Sequence, residues 1–346
     1  MFSRLIGNDE AKNSLRRMLA AGRVPGALLF TGAEGIGKKL FALELAKALN
    51  CRNRQGLEPC DECPSCRRIS RSTFPPFGKD EDDKARLIWS EYGDVAMARP
   101  YKRMIRVGPM RELEREANFR PYEGLARVFI IEDADRMNEP AANALLKTLE
   151  EPPRTSYVIL ITSQAAALLP TIRSRCQMIR FAPVPAPEIE KFLIEAKKMP
   201  AADARLLAHT SRGSIGRALA TDIGTYREQR EAMLAVLGSL VLTGDRVELL
   251  RSAEGLNDAK RKDEYECRLD VLESLIRDAW ALALGRPEET IANRDQLGEL
   301  RAIAGGLNSH QAGEWLSYIE ELRFNLVVNI NRKVATDALF LSMAAK

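Results

Sequence analysis

The sequence predicts an α/β chain in which a parallel sheet carrying a phosphate-binding loop is followed by helical domains. Three observations support this. Short apolar runs alternate with helix-forming segments through the first 182 residues, the pattern of a parallel sheet covered on both faces. A G-x-x-x-x-G-K string, Gly32 to Lys38, joins one such run to a helix, the context that makes the string a phosphate cradle. At Pro183-Val184-Pro185-Ala186-Pro187 the alternation stops, because prolines at that density continue neither a strand nor a helix, and everything beyond reads as helical.

Residues 9 to 21 hold good helix formers and end at Gly22, a C′ glycine, after which Ala27-Leu28-Leu29-Phe30 makes a short apolar strand. A glycine-rich turn, a helix and a cysteine cluster follow. The stretch at about 74 to 103 is irregular, and its acidic run Asp80-Glu81-Asp82-Asp83 reads as a solvated loop. Met104-Ile105-Arg106-Val107 is read as the next strand, then a charged helix near 109 to 119 and strands at 127 to 131, 157 to 162 and near 178 to 181. A chain of 346 residues outgrows a single core. It is read as a sheet domain at 1–182, a small helical domain at 183–224 and a larger one at 225–346, with no internal repeat.

With 45% hydrophobic and 29% charged residues the composition is that of a globular chain, and no window approaches the roughly 18 consecutive apolar residues of a membrane span. The start, MFSRLIGNDEAKNSL, carries charges where a secretory signal is apolar, so a cytoplasmic location with reduced thiols is expected. A net charge of +4 and a pI near 8.7 permit contact with DNA without demanding it.

In the loop, Gly32, Gly35 and Gly37 let backbone N–H groups point at phosphate oxygens, the next helix adds its positive end, and Lys38 reaches the terminal phosphates. One position departs from the motif. Where a serine or threonine hydroxyl would hold Mg²⁺, the chain has Lys39, which cannot ligate a cation. The second acidic motif is altered too: Glu132-Asp133 follows the strand at 127 to 131, whereas the usual order is a metal-holding Asp and then a water-orienting Glu. An error on the order of 1 Å at a catalytic group can cost about 10²-fold, so intrinsic ATP turnover is expected to be slow or absent. Asp135 is read as structural or interfacial.

Cys51, Cys60, Cys63 and Cys66 form a C-x8-C-x2-C-x2-C arrangement with Pro59 and Pro64 tightening the turns. Four thiolates so spaced in a reducing compartment suit a closed, structural, tetrahedral Zn²⁺ site in a module at 51–66. Cys176 and Cys267 lie far from it and read as ordinary thiols.

In order, these motifs resemble the clamp-loader branch of the AAA+ ATPases, over nearly the whole chain. The most specific segment is Ala141-Ala142-Asn143-Ala144-Leu145-Leu146-Lys147-Thr148-Leu149-Glu150-Glu151-Pro152-Pro153, which as residues alone is an amphipathic helix burying leucines. Ser174-Arg175-Cys176 is similar to the family motif whose arginine reaches nucleotide on a neighbouring subunit. The resemblance therefore implies that Arg175 is an arginine finger supplied in trans. It also implies sensor-1 and sensor-2 roles for Thr162 and Arg217, a cysteine module projecting from the nucleotide-binding domain, and a helical lid. Near the end, Asn325-Leu326-Val327-Val328-Asn329-Ile330-Asn331 resembles the closing helix of the family's collar domain, which holds a pentameric ring together. The implied partners are the gamma/tau and delta subunits of bacterial DNA polymerase III, a sliding clamp and primed DNA; the implied cofactors are structural Zn²⁺ and ATP with Mg²⁺, the latter weakly held.

The altered residues Lys39, Glu132 and Asp133 fit a stator better than a motor. A gamma/tau-like motor should keep a hydroxyl at 39 and an Asp-Glu order at 132 and 133. A helicase or remodeller of the same superfamily should add a DNA-binding module, and the mixed charges of Glu314-Trp315-Leu316-Ser317-Tyr318-Ile319-Glu320-Glu321 suit helix-on-helix assembly instead. A zinc-finger DNA reader would need a base-contacting helix within 51–66, which the sequence does not offer.

Overall fold

Side-chain alternation sorts the strands onto two buried faces, as a parallel sheet covered on both sides requires. Along β1 (Ala27–Thr31), Leu28 and Phe30 enter one core while Ala27 and Leu29 enter the other. β4 (Arg127–Ile131) divides likewise into Val128 and Ile130 against Phe129 and Ile131, and β5 (Ser156–Thr162) into Ile159 and Ile161 against Val158 and Leu160. Together with β2 (Ile88–Trp89), β3 (Val95–Ala98) and β6 (Gln177–Arg180), these form a sheet of order β2-β3-β4-β5-β1-β6 among the described residues. β2 runs antiparallel to β3, and all other neighbours are parallel.

The computed structural model describes residues 5–54, 56–71, 74–75, 86–256, 264–326 and 331–345. The acidic run at 80 to 83 and the segment 327 to 330 lie outside them. The chain divides into one unit of Met1–Phe192 with Arg212–Leu219 and another of Leu193–Ser211 with Ala220–Lys346. No helix of the described residues is long and apolar enough to cross a membrane.

In the first unit, α1 (Asp9–Ala20) and α2 (Lys38–Asn50) cover one sheet face with Leu15, Leu19, Phe41 and Leu45. A short helix, α3 (Pro64–Ser70), adds Ile69 to that core. α4 (Val107–Ala117) and α5 (Glu139–Glu150) cover the other face with Met110, Leu113, Leu145 and Leu149. Each such side chain contributes about 1.5–3 kcal/mol when fully buried. α5 starts where Asn138 Oδ1 accepts the Ala141 N–H at 3.0 Å and Pro140 occupies the first turn, the local chemistry of a helix N-terminus. α6 (Pro170–Arg175) and α7 (Ala186–Lys197) follow.

The strand read at 104 to 107 is not a strand. Met104 and Ile105 make only isolated bridges, to Tyr101 and Met137, and α4 begins at Val107. Pro109 fits there because the first turn of a helix does not use its missing N–H. The sheet position is filled by β3, inside the stretch read as irregular. Beside β3, the fully buried Asp94 accepts the N–H groups of Tyr122 at 2.6 Å, Glu123 at 2.9 Å and Gly124 at 2.7 Å. Asn50 Oδ1 accepts those of Leu125 and Ala126, so two polar side chains fix the entry to β4.

The second unit is helical among its described residues: α8 (Ala201–Thr210), α10 (Ile223–Gly238), α11 (Arg246–Leu256), α12 (Tyr265–Ala283), α13 (Leu297–Ala304), α14 (Ser309–Leu326) and α15 (Arg332–Met343), whereas α9 (Ile215–Ala220) belongs to the first unit up to Leu219. Leu237, Leu249, Leu272, Leu275, Ile319 and Phe340 lie in one core. Arg323 on α14 ties to α12 through Asp270 and Glu273, each at 2.7 Å.

Candidate functional site

The turn from β1 into α2 forms the floor of a cavity of about 500 Å³. A side chain at Gly32 would place its Cβ 2.4 Å from the Phe181 carbonyl oxygen, and Gly35 has φ 73° with its carbonyl accepting the Gly216 N–H at 2.8 Å. At Gly32 the backbone itself is the neighbour, and at Gly35 the left-handed φ of 73° disfavours any side chain, so glycine suits both places. Gly37 caps α2. Lys38 is buried, and its Nζ donates to the carbonyls of Gly32 at 2.5 Å and Ala33 at 2.6 Å. Burial pushes the Lys38 ammonium below its ordinary pKa, opposed by Glu34, Asp133 and Asp135.

The two departures seen in the sequence face each other. Lys39 Nζ lies 3.3 Å from Glu132 Oε2 at the end of β4, and 5.7 Å from the centroid of the Phe74 ring. A divalent ion about 4 Å from an ammonium is repelled by roughly 8 kcal/mol at an effective dielectric constant near 20. The residues at the usual metal position therefore do not fit Mg²⁺ in this arrangement. Asp133 has φ 48° and a carboxyl raised above its ordinary pKa by burial, and lies 3.8 Å from Arg136.

Glu34, Gly35, Gly37, Lys38, Lys39, Glu132 and Asp133 line the cavity, with Leu5, Ile6, Phe192 and Leu219 as an apolar wall. Thr162 is fully buried; its hydroxyl donates to Asp135 and accepts the Gln164 N–H at 2.9 Å. Arg217 is exposed on α9, its backbone N–H donating to Ser214 Oγ at 3.1 Å. Neither Thr162 nor Arg217 lines the cavity. The apolar wall escaped the sequence reading, whereas Gly216 lies in the turn read there as sensor 2. The wall comes from segments far apart in the chain, and only the Gly213-Ser214-Ile215-Gly216 turn carried a local signal.

Arg175 ends α6, away from the cavity lining. Its guanidinium meets Glu150 Oε1 at 2.6 Å and the Thr171 carbonyl at 2.9 Å, with the side chain one-third exposed. Beside it, burial pushes the Cys176 thiol up to about 12.

The four cysteines of the cluster come together where α2 ends and α3 begins. Cys51 caps α2, Cys63 caps α3 and Cys66 lies within it. Their sulfur atoms all lie within 4.8 Å of one another, with Cys51 to Cys60 at 3.6 Å and Cys51 to Cys63 at 4.0 Å. Four thiolates at a Zn–S distance of about 2.3 Å sit roughly 3.8 Å apart at the corners of a tetrahedron, so this donor set has the dimensions of such a site. The Cys60 N–H donates to Cys51 Sγ and the Cys63 N–H to Cys60 Sγ, each at 3.3 Å. The Cys63 and Glu62 amides hold Cys60 down to about 7, whereas burial raises Cys51 and Cys66. Lys47 on α2 anchors the cluster's loop through Asp61 at 2.7 Å, and Arg16 on α1 does so through Glu58 at 2.7 Å.

A family model described as "DNA polymerase III, delta subunit" matches residues 7–185. The DNA polymerase III subunit delta′ of Escherichia coli K12 is 31% identical over 93% of this chain and 89% of its own length. That of Bacillus subtilis 168 is 30% identical over 78% and 76%. The subunit tau of E. coli K12 is also 30% identical, but over 69% of this chain and only 36% of its own length. Matched by that family model and by two delta-prime subunits along most of both lengths, the chain belongs to the DNA polymerase III delta-prime family.

Proposed function

We infer that this chain is the stator of a clamp loader: it assembles with gamma/tau and delta subunits into a hetero-pentamer that places a sliding clamp on primed DNA in the cytoplasm, at the nucleoid. The observation that carries the stator reading is the Lys39–Glu132 pair at the metal position of its own phosphate loop. The loop retains the elements that hold nucleotide phosphates but lacks the arrangement that would hold Mg²⁺ for hydrolysis. The reading keeps three parts: a nucleotide-binding-type domain at 1–182, a lid at 183–224 and a collar at 225–346. Zn²⁺ held by Cys51, Cys60, Cys63 and Cys66 serves structure, since four protein thiolates leave no open coordination position.

Arg175 serves the neighbour's nucleotide. Its position outside the cavity of its own chain and its partial exposure support that role. The pair with Glu150 is no obstacle, because an exposed ion pair is worth about 0–1 kcal/mol and a phosphate on an adjoining subunit can displace it. Thr162 and Arg217 are assigned the sensor-1 and sensor-2 positions, Thr162 acting through Asp135.

The experiment is Arg175→Ala reconstituted with gamma/tau and delta subunits. The variant is expected to fold and assemble, while the rate at the neighbour's site falls by roughly 10³-fold or more, seen as a loss of DNA-stimulated ATP turnover. Unchanged turnover in the assembled variant would remove the arginine-finger role.

A further inference from the structure

The first residue after the phosphate-loop lysine ordinarily offers a hydroxyl to Mg²⁺; here it offers an ammonium that is already engaged. Lys39 Nζ lies 3.3 Å from Glu132 Oε2 and faces the Phe74 ring at 5.7 Å. Lys39 and Glu132 both line the cavity floored by Gly35, Gly37 and Lys38. We propose that the Lys39 ammonium replaces the divalent cation, so that this loop binds a nucleoside di- or triphosphate without Mg²⁺. This rests on reading the loop as a phosphate site.

An ammonium has three donors and no lone pair. It cannot share Glu132 with a metal ion, but it can keep Glu132 on one donor and give the others to phosphate oxygens. Glu132 fixes the ammonium, and Phe74 attracts it through the face of its ring, so the positive charge is positioned before the ligand arrives. Lys38 supplies the second cation, and the amides at the start of α2 supply the remaining donors. The apolar wall of Leu5, Ile6, Phe192 and Leu219 gives a base a place to pack. Such a site holds nucleotide as a fixed part of the subunit rather than as fuel, because charge developing on a transferred phosphoryl group meets no metal ion.

The test is equilibrium binding of fluorescent N-methylanthraniloyl ADP and ATP to the full chain, with Mg²⁺ and with EDTA. The expected dissociation constants agree within about fivefold between the two media. Lys39→Thr, which restores the hydroxyl, is expected to weaken binding in EDTA by more than that factor and to recover it when Mg²⁺ is added. Lys39→Met keeps the stem, loses the charge, and is expected to weaken binding in both media. Thermal melting by circular dichroism checks that each variant folds. Native binding that falls by more than about fivefold in EDTA overturns the proposal and leaves the phosphate-site reading standing, as does Lys39→Thr binding like the native chain in EDTA. Native binding undetectable in both media, or binding undiminished in Lys38→Ala, overturns the phosphate-site reading together with the proposal.

Discussion

Lys39 and Glu132 lie 93 positions apart in sequence and meet at 3.3 Å, so two residues that each look like a damaged motif compensate one another electrostatically. Neither would be neutral alone. A lone ammonium here would repel a metal ion, and a lone carboxylate would repel phosphate. Asp133 is held differently: burial raises its carboxyl pKa, with Glu132, Asp135 and Glu34 adding to the rise and Arg136 opposing it. An acid whose pKa is raised on folding loses stability as the pH climbs through the raised value. Asp133→Asn should therefore melt no lower than the native chain at pH 7, and asparagine also tolerates the φ of 48° found there. Its advantage should shrink as the pH falls through the raised value toward the ordinary 3.8, and be gone below it. Melting curves across that range check this, and a lower melting temperature at pH 7 would show that the charge is supporting the fold. The identities of Lys39, Glu132 and Asp133 were legible in the sequence, but their mutual geometry was not, because residue spacing carries no information about contacts across a sheet.

The phosphate loop and the cysteine module share one helix. α2 begins at the loop and ends at Cys51, and Lys47 near its end holds Asp61 of the module. The spacing of the four cysteines was sufficient to find the module, because short-range turns brought the ligands together. Strand β3 was not found, since Val95-Ala96-Met97-Ala98 is only four residues long and half alanine; its strand character comes from pairing with β4 rather than from propensity. Purified chain is expected to contain about one zinc per molecule, lost when Cys60 and Cys63 are both changed to serine. Limited proteolysis of that variant should open the 51–66 module while the sheet stays protected. Metal analysis of the native protein that finds no zinc would end the assignment.

At the scale of the whole molecule, the order of motifs and the change to helical structure were legible, although α7 starts at Ala186, inside the proline run read as linker, because Pro187 is tolerated in a first helical turn. The interior of the second unit was not. Arg323 facing Asp270 and Glu273, and buried Arg230 bonding Asp295 at 2.8 Å, pair residues far apart in the chain, which residue spacing does not bring together. The proposed stator role requires that the chain turn over no ATP of its own despite its phosphate loop. The most direct test is steady-state ATP hydrolysis by the purified protein alone in the presence of Mg²⁺. Negligible turnover is predicted. Turnover near the roughly 1 s⁻¹ or more of working enzymes would mean that Lys39, Glu132 and Asp133 still support catalysis, and the chain would then be a motor.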